Sequence, residues 1–298
     1  MEPGLAPGAL QFSLTTLYGS DFEGGHFSRS GNTSAGATVA VPLYRHETSL
    51  DYTRLELGLQ YTLTPEWDLI ARVPWEQKEQ RSSIGLIDPS TDADRTAMQR
   101  NVDLHHRTAT LRGLSDLMIL GRRRWSRLAI SAGTTIPIGR TVENPYALGD
   151  QGVEHQHIQF GTGTVDPLFE ANYSVPVTER LTAGASINGR LPLYENSRGF
   201  RAPPDGALSL HVSQRLSDRV QIRLEGTTFA QGYGYWDGLR DENTGLVATS
   251  ISAGATFRLK DVSLSADVRH PISQRTLAEG DAFTQGPTFI VSVGGRLR

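Results

Sequence analysis

The sequence contains no cysteine and only three methionines among its 298 residues. The lack of cysteine excludes a disulfide framework, a thiolate nucleophile and any metal site built on cysteine. Long apolar runs are missing too, since no stretch approaches the roughly 18 residues of a transmembrane helix, and the mean hydropathy is -0.33. The net charge of -3 is close to neutral, which argues against a nucleic-acid partner.

What the chain does have is a series of short segments in which apolar and polar residues alternate. One segment runs from Leu55 to Leu63 with an apolar residue at every odd position, and Trp67 to Trp75 repeats the pattern after a three-residue turn. Because successive side chains of a strand point to opposite faces, each segment places its apolar residues on one face. The gaps between segments are alternately short and long. Antiparallel strands joined in this way are typical of outer-membrane β-barrels.

We therefore predict an all-β fold, a single transmembrane antiparallel β-barrel of about 12 strands with short periplasmic turns and long extracellular loops. The pattern runs from end to end without a linker, so residues 1–298 are expected to form one domain. A soluble β-sandwich also has alternating strands, but its loops would not keep such a strict short–long order. The predicted strands are 9–18, 50–63, 67–75, 106–125, 128–138, 164–176, 181–191, 207–216, 220–230, 247–259, 262–269 and 287–297.

Aromatic residues are expected to form two girdles at the depth of the lipid headgroups, where amphipathic rings are favoured. The sequence shows no secretory signal peptide at Met1. We expect the chain to be a mature bacterial outer-membrane protein with an added Met1, a monomer in contact with outer-membrane lipid. The girdle near the short turns comprises Tyr61, Trp67, Trp125 and Tyr173, and that near the long loops comprises Tyr52, Trp75 and Tyr194.

The faces opposite the apolar ones carry charges of both signs. In one interpretation these charges line an open lumen and filter solutes. In the other they form ion pairs that fill the barrel, because buried charges must be paired. The sequence leaves both open. The predicted lumen residues are Arg54, Glu56, Asp68, Arg72, Arg112, Asp116, Glu170, Arg190, Arg223, Glu225, Asp267 and Arg269.

Three motifs in the middle of the chain add a family resemblance. They are Arg112–Leu117, Ile136–Gly139 and Gly161–Pro167. Their order resembles an outer-membrane transporter family named for phenol meta-pathway degradation clusters, whose members show Gly-Leu-Gly-Asp-like, Pro-Thr-Gly-like and Gly-Thr-Gly-Ser-like motifs. Ser115 here replaces a glycine and Ile138 a threonine. The resemblance implies an outer-membrane channel for small, often hydrophobic compounds and no catalytic residues.

A hydrolase and a metal site are the chemical alternatives. His211 and Ser213 lie two apart on a predicted strand, as in outer-membrane phospholipases, but the following strand contains no Asn to complete the site. Of the pairs His105–His106 and His155–His157, all but His106, which begins a predicted strand, lie in predicted loops. Zinc needs three or four ligands, and no third histidine is evident, so we predict neither catalysis nor a metal.

The sequence thus predicts a passive uptake channel for small molecules, without a cofactor, and the family resemblance implies that hydrophobic or aromatic compounds are among them. A closed structural or partner-binding barrel is the alternative, and an outer-membrane hydrolase is less favoured. One apolar loop patch either contacts a solute at the channel mouth or packs the loops together, and packing is slightly favoured. This patch comprises Tyr233, Tyr235 and Trp236.

Overall fold

A computed structural model describes residues 6–277 and 284–297. Met1, which we expected to be an added residue, lies outside the described residues. Most of the described residues form β-strands, and two helices lie between them. The strands are β1 (Leu10–Asn32), β2 (Thr38–Thr62), β3 (Trp67–Leu86), β4 (Ala109–Leu114), β5 (Leu117–Arg124), β6 (Leu128–Ile136), β7 (Pro167–Pro176), β8 (Leu181–Arg190), β9 (Phe200–Arg201), β10 (Asp205–Arg215), β11 (Val220–Gln231), β12 (Gly234–Trp236), β13 (Leu239–Asp241), β14 (Leu246–Leu259), β15 (Val262–Thr276) and β16 (Thr288–Leu297); the helices are α1 (Asp92–His106) and α2 (Pro145–Asp150).

In the described part of the chain the long strands close into an antiparallel barrel of 12, with β4 and β5 counting as one interrupted strand. Each strand pairs with its neighbour in sequence, and β16 pairs with β1, where Leu10 lies opposite Leu297. Closure satisfies the backbone groups that an open edge would leave unpaired in hydrocarbon. The predicted fold class is confirmed.

The outer surface of the barrel carries an apolar band. Leu57 and Leu59 on β2 are 45% and 39% exposed and point outward. On β3 the band extends from Trp67 to Trp75, a length that suits a membrane-crossing strand of about 9–11 residues. Neither helix of the described residues is long and apolar enough to cross a membrane.

The girdle near the short turns is present as predicted, because Tyr61, Trp67, Trp125 and Tyr173 are all exposed. The prediction for Tyr52 was wrong. Tyr52 is paired with Lys78 of β3 and lines a cavity inside the barrel.

The prediction of long loops between the first and second strands and between the third and fourth strands was wrong in part, because β1, β2 and β3 continue far beyond the apolar band. They stay paired up to Asn32, Thr38 and Leu86. Outside the membrane neither face of a strand needs to be apolar, so these extensions lack the alternation that identified the membrane-crossing parts.

Helix α1 packs on these extensions. Its Met98 and Val102 are fully buried against Tyr44 and Val41 of β2. At its start, the Thr91 hydroxyl accepts a hydrogen bond from Asp94 N at 3.2 Å, and the Asp94 carboxylate accepts one from Thr91 N at 2.9 Å. This capping box satisfies backbone groups that have no partner within the helix.

The fourth predicted strand is interrupted at Ser115 and Asp116. Trp75 pairs with Leu114, whereas Arg72 pairs with Met118, so the register shifts by one residue between β4 and β5. Such a bulge reverses the side-chain alternation beyond it. The inward residues are therefore odd-numbered in β4 and even-numbered in β5.

Candidate functional site

Two cavities of the described residues lie within the barrel. The cavity on the long-loop side has a volume of about 840 Å³, and the cavity on the short-turn side has a volume of about 720 Å³. Arg72 lines both of them. The arginine therefore lies where one cavity gives way to the other.

Arg72 forms an ion pair with Glu170 of β7. Arg72 Nη1 donates to Glu170 Oε1, and Arg72 Nη2 donates to Glu170 Oε2 at 3.1 Å. The interaction is therefore bidentate. Strands β5 and β6 lie between β3 and β7 in the barrel wall. The two side chains therefore meet across part of the lumen, which is narrowed at this level.

A second group of charges lies in the loop-side cavity next to Arg72. Arg54 donates to Glu56 at 2.7 Å and to Glu76 at 2.9 Å. Lys78 lies 3.1 Å from the same Glu76 carboxylate. These four side chains come from β2 and β3 only, so they form a charged wall without crossing the lumen.

A third group fills the short-turn end of the lumen. Asp68 is fully buried and lies 3.2 Å from both Arg122 and Arg124. Thr62 Oγ1 donates to the same carboxylate at 3.0 Å, and Arg122 also donates to Gln60. Asp68 is thus held by a pair of arginines and a hydroxyl, an arrangement suited to a structural role.

Two further predicted lumen arginines, Arg190 and Arg223, are also paired, whereas the buried Nε atom of Arg269 has no hydrogen-bond partner among the described residues. Arg190 bonds to Asp205 on the neighbouring strand. Arg223 reaches Asp267 at 2.9 Å, although β14 lies between their strands. This contact depends on Gly254 of β14, since a Cβ there would lie 1.9 Å from the Asp267 carboxylate. Glu225 is a more distant partner of Arg223, at 3.8 Å.

Arg112 does not face the lumen, contrary to the prediction. It is exposed, lies opposite Gln77 and donates to the Gln77 amide oxygen at 2.6 Å. Its outward neighbours on the same face are Trp75 and Leu114. The reason is the bulge between β4 and β5, which the continuous strand assumed from the sequence did not contain.

Asp116 is buried and anchors the segment that connects β6 to β7. Its carboxylate accepts hydrogen bonds from Gly139 N at 2.9 Å, from Thr162 N at 2.7 Å and from the Thr162 hydroxyl at 2.9 Å. The structure therefore brings together the three motifs that carry the family resemblance. Gly161 packs on Gly139 so closely that a Cβ on Gly161 would lie 2.7 Å from the Gly139 Cα.

The anchored segment bends into the loop-side cavity. Gln159 O accepts a hydrogen bond from Lys78 at 3.1 Å, and the Lys78 ammonium lies 4.9 Å from the centre of the Phe160 ring. Phe160 is buried and lines the cavity. An aromatic ring and an ammonium group thus form one wall of the loop-side cavity.

The aromatic loop patch packs the loops over one another. Trp236 is buried and lies 4.7 Å from the ring of Phe200. Tyr235 stacks with Arg201, whose guanidinium lies 4.1 Å from the ring, and Tyr233 stacks with Arg240 at 4.5 Å. Strands β9, β12 and β13 form a small sheet around these contacts.

Leu210 and Val212 are exposed on the outer surface of the barrel. His211 and Ser213 alternate with them along the strand and therefore point inward. The Ser213 residue is buried and lies opposite Arg223. No described contact joins the His211 ring to the Ser213 hydroxyl, so the pair lacks the base–hydroxyl geometry of a nucleophilic site.

Contrary to the sequence interpretation, the structure places further histidines next to one of the two histidine pairs. His106 lies within reach of His26 on β1 and His46 on β2. Burial, together with the neighbouring histidines, lowers the pKa of His46 and that of His106 to about 3. Burial also lowers the pKa of His105 to about 4. These three imidazoles are therefore neutral at pH 7.

No protein-family model and no curated protein sequence matches this chain. Among solved structures it is similar to an outer-membrane channel from Pseudomonas putida F1, with a TM-score of 0.62, 13% identity, and coverage of 99% of this chain and 98% of that one. It also matches the P. putida toluene transporter TodX, with a TM-score of 0.45, 8% identity, and coverage of 98% and 90%. A third match is the Ralstonia pickettii toluene transporter TbuX, with a TM-score of 0.44, 10% identity, and coverage of 99% and 90%. The first of these similarities shows a shared fold.

Proposed function

We propose that this protein is a monomeric channel of the bacterial outer membrane for passive uptake of small molecules, and that Arg72 and Glu170 form its constriction. The observation that carries the proposal is the position of Arg72, which lines both interior cavities. A solute that moves from one cavity to the other passes this ion pair. The shared fold with an outer-membrane channel of P. putida F1 supports the proposal.

The solutes we propose are small molecules with a hydrophobic or aromatic part. The resemblance of the central motifs supports this class. The loop-side cavity supports it too, because its wall includes the rings of Tyr52, Phe160 and Phe200 beside the charged groups of Arg54 and Arg190. Such a lining suits an aromatic ring that carries a polar or anionic group, since rings contact apolar surface while arginine binds anions.

The second candidate is a closed barrel with a structural or partner-binding role. The ion pair between Arg72 and Glu170 and the inward segment held by Asp116 favour it. Both features place protein atoms in the lumen. In this candidate the charges stabilise the barrel and no solute crosses it.

Single-channel recording in planar bilayers separates the two candidates. The proposed channel conducts ions, and replacing both members of the constriction, Arg72→Ala with Glu170→Ala, increases the conductance because two long side chains leave the narrowest level. Arg112→Ala is the matched control, since this arginine is exposed on the outer face. A parent protein and a double variant that both fail to conduct, while folded, would support the closed barrel.

The solute class has its own test. Liposomes that contain the protein should admit benzoate faster than an uncharged sugar of similar size. Equal rates for the two solutes would refute the proposed selectivity while leaving the channel itself intact.

A further inference from the structure

Six of the eight histidines of the chain lie together on the long-loop side of the barrel. They come from segments far apart in the sequence, and each contacts at least one other ring of the group. We call this group the histidine cluster. Its members are His26 on β1, His46 on β2, His105 and His106 at the end of α1, and His155 and His157 after α2.

Three members of the cluster converge on a common point. One ring nitrogen each of His26, His46 and His106 lies within 4.8 Å of the other two. The Nε2 atoms of His26 and His106 are 3.3 Å apart. Two nitrogens on a tetrahedral zinc ion, each at about 2.0–2.1 Å, are separated by roughly the same distance. His26 is exposed, so its side chain has room for the small adjustment that would bring all three nitrogens to bonding distance.

His46 presents an unused nitrogen. The residue is only 1% exposed, and among the described residues its buried Nδ1 atom has no hydrogen-bond partner. Its Nε2 atom lies 2.7 Å from the Tyr44 hydroxyl, and that hydroxyl donates its hydrogen to Ser30 O at 2.7 Å. Nε2 therefore carries the hydrogen that Tyr44 accepts, and Nδ1 keeps a lone pair.

This arrangement is the one found around metal-ligating histidines. In such sites the second ring nitrogen donates to a fixed acceptor, which orients the ring and selects the tautomer. Tyr44 is itself fully buried and also contacts Asn101 of α1. The acceptor is thus held rigidly, and a buried nitrogen without a partner is costly unless a ligand satisfies it.

We propose that His26, His46 and His106 form a binding site for a divalent transition-metal ion of the Zn²⁺ class. Imidazole ligands suit zinc, nickel and copper(II), whereas calcium and magnesium require oxygen ligands. Three protein ligands leave a fourth position for water or for an anionic group. The ion would join β1, β2 and α1, and so fix α1 at the mouth of the barrel.

Isothermal titration calorimetry of the detergent-folded full chain with ZnCl₂ tests the site. We expect binding of one ion with micromolar or tighter affinity in the parent protein. His26→Ala and His106→Ala should each weaken it by about tenfold or more, since each removes one of three ligands. His270→Ala is the matched control, because His270 lies on β15 away from the cluster and is exposed.

A second measurement uses Co²⁺ in place of zinc. An intense visible absorption, typical of four-coordinate Co²⁺, should appear in the parent and in His270→Ala but not in His106→Ala. Gel mobility before and after boiling checks folding, and the exposed position of His26 makes His26→Ala the variant least able to disturb the fold. Absence of zinc binding by the folded parent, or binding unchanged in both cluster variants, would overturn the proposal.

Discussion

Arg72 on β3 and Glu170 on β7 form an ion pair although two strands, β5 and β6, separate them in the barrel wall. Their side chains therefore meet in the lumen and not along the sheet. Both groups are mostly removed from solvent. Removing one partner of such a pair leaves an uncompensated charge, which costs far more than the intact pair contributes to stability.

The first prediction concerns ion selectivity. Arg72→Gln leaves Glu170 unpaired at the proposed constriction, so the lumen becomes more negative and the reversal potential in a salt gradient should shift toward cations. The shift should be largest at low salt, because screening extends over only about 10 Å at 0.1 M. Arg112→Gln removes the same charge from the outer face and should leave the reversal potential unchanged. Equal shifts in the two variants would place the selectivity outside the constriction.

The second prediction concerns the two faces of the wall. Leu59→Arg places a charge in the lipid near the middle of the band and should destabilise the barrel by about 2–4 kcal/mol. Asn172→Arg places it on the inward face of β7, where Asn172 is exposed to the lumen beside Glu170, and should cost much less. Urea unfolding in lipid vesicles measures both. Equal costs would mean that the assigned register of one strand is wrong.

The third prediction concerns the anchored segment. Asp116→Ala removes the acceptor of three hydrogen bonds from Gly139 and Thr162. We expect a loss of about 1.5–3 kcal/mol of local stability, as for hydrogen bonds to a charged group, and faster proteolysis within residues 139–163. Asp218→Ala, in an exposed short turn, should leave the cleavage rate unchanged. Cleavage no faster in Asp116→Ala than in the parent would remove Asp116 from this role.

The fourth prediction concerns the start of α1. Thr91→Ala removes the capping hydroxyl and should destabilise the helix by about 1 kcal/mol, seen as faster hydrogen exchange of α1. Thr96→Ala on the same helix keeps the cap and should not accelerate exchange.

The capping box also makes α1 sensitive to acid. Hydrogen bonds from the Thr91 hydroxyl and backbone lower the pKa of Asp94 below its ordinary value. The unfolded carboxyl therefore binds a proton at higher pH than the folded one, so the stabilisation is present above the ordinary pKa of aspartate and is lost as the pH falls through the lowered one. The hydrogen-exchange rate of the α1 backbone amides, divided by the intrinsic exchange rate at each pH, should rise below about pH 4 in the parent protein. The rise should be smaller in Asp94→Asn. An acid response of equal size in Asp94→Asn would assign it to another group.

The sequence alone determined the barrel strands whose outer face is apolar. Hydrocarbon accepts only apolar side chains on the outer face, so positions such as Leu57, Leu59 and Trp67 alternate with polar ones and reveal each crossing strand. The even number of strands followed from the alternating gaps. The inward direction of Arg54, Arg72 and Glu170 followed from the same parity.

Only the tertiary structure decided what lies beyond the membrane and which side chains meet. Water imposes no apolar face, so the extensions of β1–β3 and the polar helix α1 left no periodic signal. The bulge at Ser115 and Asp116 reversed the direction of Arg112, because one extra residue changes the parity of a strand. The contacts of Arg72 with Glu170 and of His26 with His106 depend on barrel curvature and register, which join residues remote in sequence and which no local pattern encodes.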